Sequence, residues 1–549
     1  MPDPKDPDTV YGAGLGGRLS KWDGKTGQVQ NVSPWPVSTY GQRPKPGAFR
    51  YSWITPLAIS ARPPHAVYQA SQVLWRSTDG GTTWQTISPD LTGAKPGSPR
   101  CDGDVALADA TACGLGVIFA IAPSPSADGT VWVGTDNGRV HVTRDEGRTW
   151  ADVTPPGMGD WTKVNIIDLS PTDPAVAYVA ADRHRADDFH PFAFRTRDYG
   201  KTWTEIGHGL PDGGWVGVVR HDPKRPGLLY AGTSRGVHVS FDDGETWQSL
   251  QLNLPTTGIN DMLVKNEDVV VATQGRGLWV LDAVTPLRHI DVGSLASKVV
   301  MTPPAVAYRI AANQNKDTPL PPDEPRTPNP PAGAILDYFL PATPKGPVTL
   351  EIADADGRVV RRIQSDDPPP ALHAQAYFTE VWRTEPKALP ARAGHNRFVW
   401  DLRLSRPRAA EYEYSIAGVP GQPTPLLPAG PFVVPGTYEV RVIVDGEIVR
   451  QMVTVAQDPR RHETPDDLRM LLGLQREAIA ALEQSADAAA EKERIETRLE
   501  ALDADPRARG AAQAIARVRE GLDSLGGPGG ALEPEKISGL LGSLETDLE

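Results

Sequence analysis

Short runs of alternating apolar and polar residues, each closed by a turn signal, fill roughly the first 285 positions. Val131-Trp132-Val133-Gly134-Thr135 stops at Asp136-Asn137-Gly138, and Val140-His141-Val142-Thr143 follows. Period-two patterning broken by Gly, Pro and Asp predicts antiparallel strands joined by tight turns. The runs recur in sets. Each set has a strand, a Pro/Asp turn, a second strand ending in a small residue, a Gly, a third strand, and an eight-residue phrase. The phrase occurs four times, as Ser77–Trp84, Thr143–Trp150, Thr196–Trp203 and Ser240–Trp247, with the skeleton Ser/Thr-x-Asp-x-Gly-x-Thr-Trp. Its tryptophans fall 66, 53 and 44 residues apart (84 to 150, 150 to 203, 203 to 247). A unit of about 45 residues suits a four-stranded propeller blade, and the longer gaps imply inserted loops.

Within the phrase, Asp79, Asp145, Asp198 and Asp242 sit where a carboxylate accepts backbone N–H groups of its own turn. The Gly supplies positive φ. Trp84, Trp150, Trp203 and Trp247 each give a large apolar body to wedge between neighbouring sheets. Four copies spread along a chain are turn staples rather than catalytic acids, because an active site needs one constellation. Two further modules lack the full phrase: Val10–Asp23 and Val271–Asp282. That makes six, with incomplete ends. The first opens at Pro2-Asp3-Pro4, the turn after an innermost strand, and the last has no obvious fourth strand. Either the ends complete one another or further blades complete them.

The phrase resembles the Asp-box, or BNR repeat, of sialidases, sortilin-type receptors and xyloglucan-cleaving hydrolases. Together with Asn31–Pro36, Ser88–Thr92, Asp187-Asp188-Phe189 and Leu252–Pro255, it makes residues 1–285 similar to the C-terminal half of large bacterial sortilin-like proteins labelled glycosyl hydrolases. The resemblance implies a β-propeller with its boxes on outer turns, away from the central site. It also implies a missing N-terminal propeller half or a partner subunit. It does not establish catalysis, since one fold hosts many functions.

Beyond the repeats, residues 286–333 are proline-rich and predict an extended linker, in which Ala307-Tyr308-Arg309-Ile310 could add a strand. Residues 334–457 return to β patterning, with hairpin turns at Asp354–Gly357 and Asp445-Gly446, and suggest an Ig-like β-sandwich. Residues 458–549 carry helical spacing (Leu468, Leu471, Leu472, Ile479, Leu482, then Ile495, Leu499, Leu502), with Thr464 as N-cap. They form a hairpin or small bundle, or mediate an oligomer.

Composition narrows the function classes. Net charge is −13 with no basic stripe, which argues against nucleic acid. No apolar run reaches the roughly 20 residues of a membrane span. Cys101 and Cys113, in a Gly/Asp/Ala-rich loop, lack zinc-site spacing and suggest a disulfide, with two free thiols as the alternative. A disulfide points to a periplasmic or secreted protein, although no signal peptide follows Met1. Neither a cofactor fingerprint nor a metal-ligand set is present. Propeller ligands sit at the channel mouth, on loops leading into the innermost strands. Arg50, Trp53, Trp161 and Trp215 lie on such loops as ligand-binding candidates. Aromatic faces beside acids suit sugar rings, and glycoside cleavage needs two carboxyls about 5–10 Å apart. Asp160 and Asp261 are the candidate pair, with Asp187 and Asp188 as rivals. The expectation is a binding propeller that presents this face to a glycan or protein, with a glycoside hydrolase as the alternative.

Overall fold

The computed structural model describes residues 1–37, 49–94, 105–310, 331–368, 388–408, 429–504 and 512–524. The chain divides into two compact units, Met1–Val284 and Thr285–Glu549.

In the first unit the alternating runs become six antiparallel sheets in chain order, each a simple meander. The second to fifth sheets have four strands: Leu57–Ile59 to Gln85–Thr86, Ile118–Pro123 to Ala151–Asp152, Lys163–Leu169 to Thr204–Glu205, and Val216–His221 to Gln248–Ser249. The first sheet (Thr9–Ala13, Leu19–Asp23, Val29–Asn31) and the sixth (Ile259–Lys265, Asp268–Thr273, Leu278–Leu281) have three. Consecutive sheets share apolar cores. Tyr11 and Leu19 meet Val67, and Leu74 and Ile87 meet Val131 and Val133. Trp132 and Val142 meet Val164 and Val179, and Tyr178 and Ile206 meet Val219 and Leu229. Face-to-face sheets contributed one after another are propeller blades.

The box phrase explains how they hold together. The Asp79 carboxylate accepts the Thr83 N–H (2.9 Å) and hydroxyl (2.6 Å), and the Ser77 hydroxyl (2.8 Å), while the Gly81 N–H donates to Ser77 Oγ (2.8 Å). The same pattern recurs around Asp145, Asp198 and Asp242. In each turn two consecutive residues take positive φ: Gly80-Gly81, Glu146-Gly147, Tyr199-Gly200 and Asp243-Gly244. Each tryptophan then reaches backwards. The indole N–H groups of Trp84, Trp150, Trp203 and Trp247 donate to the carbonyls of Val32, Ile87, Val153 and Ile206 (2.8, 2.9, 2.8 and 2.7 Å), just past the last strand of the preceding sheet. The box glycine packs on that same residue. A Cβ on Gly147 would lie 2.3 Å from the Ile87 carbonyl oxygen, so only glycine fits. The box therefore closes its own turn and latches its sheet to the one before.

The last junction uses other chemistry. The sixth sheet has no box, and Arg220 of the fifth sheet's first strand spans the gap. Its guanidinium pairs with Asp168 of the fourth sheet (3.0 Å) and Asp261 of the sixth (2.8 Å), and donates to the Met262 carbonyl (2.8 Å). Burial alone would raise the Asp168 carboxyl, but bonds from His221 and the Arg220 charge outweigh it and hold it below the usual carboxylate range.

The second unit pairs a three-stranded sheet (Val300–Met301, Ala334–Leu340, Gly394–Trp400) with a five-stranded one (Ala307–Arg309, Glu447–Gln457, Gly436–Val444, Thr349–Ala353, Val359–Gln364). One core of Leu336, Tyr338, Leu350, Trp400, Val440 and Val453 lies between them. Two stretches of the proline-rich segment thus act as strands. Val300–Met301 pairs with Ala334–Leu340, and Ala307–Arg309 runs parallel to Glu447–Gln457. The remainder of that segment, 311–330, lies outside the described residues. The helix Pro465–Ala504 opens on a reciprocal cap, in which Thr464 N–H bonds Asp467 (2.9 Å) and Asp467 N–H bonds Thr464 Oγ1 (3.2 Å). Its C-terminal half packs Ala488, Ile495 and Leu499 on Ile515, Val518 and Leu522 of the helix Ala512–Ser524. No helix among the described residues is long and apolar enough to cross a membrane.

Candidate functional site

The two ends of the meandering sheets differ in kind. The backbone N–H groups of Glu146, Tyr199 and Asp243, inside the boxes, donate to Gly129, Ala175 and Gly227, in the turns between first and second strands (3.0, 3.1 and 2.8 Å). Boxes and first turns therefore share one end. The loops leading into the first strands, and those between second and third strands, share the other.

At that other end the loops join into a polar belt across four sheets. Arg50 leads into the second sheet. Its guanidinium donates to Asp90 (2.8 Å), Thr92 (3.1 Å) and the Gly116 carbonyl of the third sheet (3.1 Å), and its N–H donates to Gln72 (2.8 Å). Asp136 closes the third sheet's second strand, where its carboxylate accepts the Val117 N–H (2.8 Å). Burial pushes its carboxyl up to about 6, against the pull of the Val117 and Asp136 N–H groups and the Arg185 and Arg50 charges. The next residue, Asn137, offers its carbonyl to the Trp161 N–H (3.1 Å), which brings the loop holding Asp160 beside Asp136. In the fourth sheet, buried Asp182 accepts from Lys163 (3.2 Å), Asn165 (2.7 Å) and His184. Asn165 also donates to the Val216 carbonyl of the fifth sheet (2.9 Å). The His184 ring lies 5.9 Å from the Trp215 indole, and Lys163 Nζ lies 5.0 Å from the Phe119 ring. Donors, acceptors and aromatic side chains thus stand along one rim.

The sequence-expected residues distribute unevenly over this geometry. Arg50, Asp160, Trp161 and Trp215 fall on the belt. Trp53 lies on the same loop as Arg50 and is 78% exposed. Asp261 is held by Arg220 and also accepts the Met262 N–H (2.7 Å). Asp188 pairs with Arg183 (3.3 Å), and Asp187 is the exposed left-handed residue ending the short turn His184–Ala186. Phe189 of that loop is exposed, and Phe192 is buried. The eight box residues lie at the opposite end. Cys113 is disulfide-bonded, and Cys101 lies outside the described residues. No group of three or more His, Cys, Asp or Glu residues among those described is arranged to hold a metal ion. Sequence reading did not single out Asp136 or Asp182. Their signal was departure from the module. Ala181 occupies the register position of Thr135, Thr233 and Thr273, so Asp182 is the fourth sheet's counterpart of Asp136. Asp136 aligns with Ser234 and Gln274, whose N–H groups likewise bond the loop leading into the first strand.

No family model matches the chain, and no curated protein matches it in sequence. Among solved structures, the chain is similar to the GH74 xyloglucanase of Xanthomonas campestris at 19% identity, covering 52% of this chain and 45% of that one, with a TM-score of 0.36. It is also similar to YCF48 of Cyanidioschyzon merolae (10% identity, 51% and 80% covered, TM-score 0.33). PorZ, a surface component of the type-IX secretion system of Porphyromonas gingivalis, gives 13% identity, 81% and 58% covered, and a TM-score of 0.35. The chain spans less than half the length of the xyloglucanase it matches. At these scores the likenesses carry no weight for function.

Proposed function

We propose that the first unit is a glycan-binding propeller module and that the rim from Arg50 to Trp215 is its binding face. The observation that carries this reading is the Lys163–Asp182–His184 cluster set against Trp215. Its side chains come from one sheet and its platform from the next, so it is a composite surface rather than a turn staple. Sugar rings stack on indole faces and take hydrogen bonds from charged groups around them. The Cys113 disulfide supports an oxidising, extracytoplasmic location. The Asp-box phrases support the sortilin-like BNR resemblance, and the two-sheet core of the second unit supports an Ig-like module.

One observation favours a second reading, glycoside hydrolysis. A carboxyl raised to about 6 is suited to act as a general acid. Asp136 is such a group, and Asp160 on the adjoining loop is the second carboxyl. A structural role for Asp136 competes with this reading, because Gln72 makes the same bond to the Arg50 N–H in the second sheet without any charge.

One paired experiment separates the readings. The full chain is screened on a glycan array and against soluble polysaccharides, alongside Trp215→Ala and Asp136→Asn. The binding reading expects Trp215→Ala to lose retention about tenfold or more, an effect of about 1.4 kcal/mol, while Asp136→Asn retains it. The hydrolase reading expects reducing-end release by the native chain that vanishes in Asp136→Asn. Retention of no glycan by the native chain would remove both.

A further inference from the structure

We propose that the N-terminal half of the helix Pro465–Ala504 is a docking face for residues 534–548 of the same chain, which pack on it as a third helix. The face is defined by spacing. Leu474, Ala481, Ala488, Ile495 and Leu502 recur every seven residues and share one side of the helix. The C-terminal part of this row is covered. Ala488 and Ile495, with Leu499 beside them, are buried against Ile515, Val518 and Leu522 of the helix Ala512–Ser524, and Leu502 packs on the same cluster. The N-terminal part is open. Met470 and Leu474 are 66% and 59% exposed, Ala481 is exposed, and Leu471 and Leu482, which flank the row, are 45% and 41% exposed. An apolar row that is dry at one end and open to water at the other is an interaction surface.

The path of the chain selects the occupant. Residues 505–511 connect the two helices, and so short a connection sends the second back along the first. Arg519 pairs with Asp503 near the connection (2.6 Å), and Leu522, towards the far end, joins the cluster that holds Ala488. The chain therefore leaves Ser524 where the covered part of the row stops. Residues 525–549 lie outside the described residues, and their sequence carries a matching pattern. After Gly526-Gly527-Pro528-Gly529-Gly530, the residues Ile537, Leu540, Leu541, Leu544 and Leu548 fall on one side of a helix, with Pro534 suited to its first turn. Met470 to Leu482 spans about 18 Å, and Ile537 to Leu548 as a helix spans about 17 Å. Gly539 and Gly542 fall on the opposite side and weaken such a helix in isolation, so it needs a packed face to form.

A benzophenone amino acid in place of Met470 of the full chain reads the occupant directly, in a mixture with isotope-labelled chain that separates contacts within one molecule from contacts between two. The expected product is a cross-link within one chain, to a peptide between 533 and 549, and it is lost when Ile537→Asp and Leu544→Asp are introduced together. Hydrogen exchange gives a second reading. Amides of 537–548 should exchange about tenfold or more slowly than those of a synthetic peptide of the same sequence, and Leu474→Asp should remove that protection. Leu474 is exposed on the described helix, so the charge does not threaten its packing, and an unchanged melting temperature confirms it. A cross-link to the labelled chain, a cross-link to another part of the same chain, no cross-link at all, or exchange at the peptide's rate overturns the proposal.

Discussion

The two ends of the six-sheet unit are made by the same strands and follow different rules. At the box end, four turns repeat one hydrogen-bond pattern, and their tryptophans make the same backward reach to the preceding sheet. At the rim end, Gln72, Asp136 and Ser234 stand at comparable places and make different contacts. Repetition marks what every junction needs. Departure from the repeat marks what a single ligand would need. The same contrast separates the first four junctions, latched by a box, from the fifth, where Arg220 does the work with charge.

Breaking a latch and breaking the charged junction should give the two largest effects. Trp247 is the most buried of the four box tryptophans. Trp247→Ala should cost about 3–5 kcal/mol by removing an aromatic body and its N–H bond together. Trp247→Phe should cost about 1 kcal/mol, because only the hydrogen bond is lost. Urea denaturation followed by circular dichroism measures both. If the alanine variant costs no more than the phenylalanine variant, the latch account fails.

Arg220→Ala should destabilise by about 3 kcal/mol, since it strands the half-buried Asp168 and frees the exposed Asp261. The sign of its pH dependence is fixed. The folded-state Asp168 carboxyl titrates below its unfolded value, so its stabilisation is present above about pH 4 and lost as pH falls through the folded value. The variant should therefore show a weaker loss of stability on acidification than the native chain. Parallel acid titrations of the two would decide it.

The smallest effect belongs to the rim and has the opposite sign. The folded-state Asp136 carboxyl titrates at about 6, above its unfolded value. Its cost is absent below about pH 4 and grows as pH rises towards 6. Asp136→Asn should stabilise the neutral-pH protein by about 1–2 kcal/mol, discounted for solvent screening, and leave stability at pH 3 unchanged. Equal melting temperatures for the two proteins at pH 7 would mean that the carboxylate is better solvated than the geometry implies.

Much of the strand order was legible from sequence, because period two and turn chemistry are local. The box phrase placed four turns correctly, since Asp, Gly and Thr act within eight residues of one another. Its second role was legible only in part. A tryptophan suggests wedging, but the acceptor for Trp150 is Ile87, 63 residues away, and no local pattern points to it. The segment 286–333 was legible only in part for a related reason. Ala307–Arg309 could be offered as an added strand but not given its partner Glu447–Gln457, and Val300–Met301 is too short to show a period and becomes a strand only through Ala334–Leu340.

The candidate site shows the limit most clearly. Aromatic residues on the lead-in loops could be named from their positions, and Trp161 and Trp215 stand on the rim. Asp261 looked like an acid in the same class until its distance to Arg220 became known. Asp136 looked like an ordinary turn residue until burial raised its titration. Sequence by itself determined the module, the number of repeats and the side chain each turn requires, because those depend on neighbours along the chain. Tertiary structure alone decided which acids are spent in ion pairs, which end of the sheets gathers Lys163, Asp182 and His184 beside Trp215, and which apolar row stays uncovered. Those properties depend on distances and burial between sheets, which dozens of intervening residues separate in the chain.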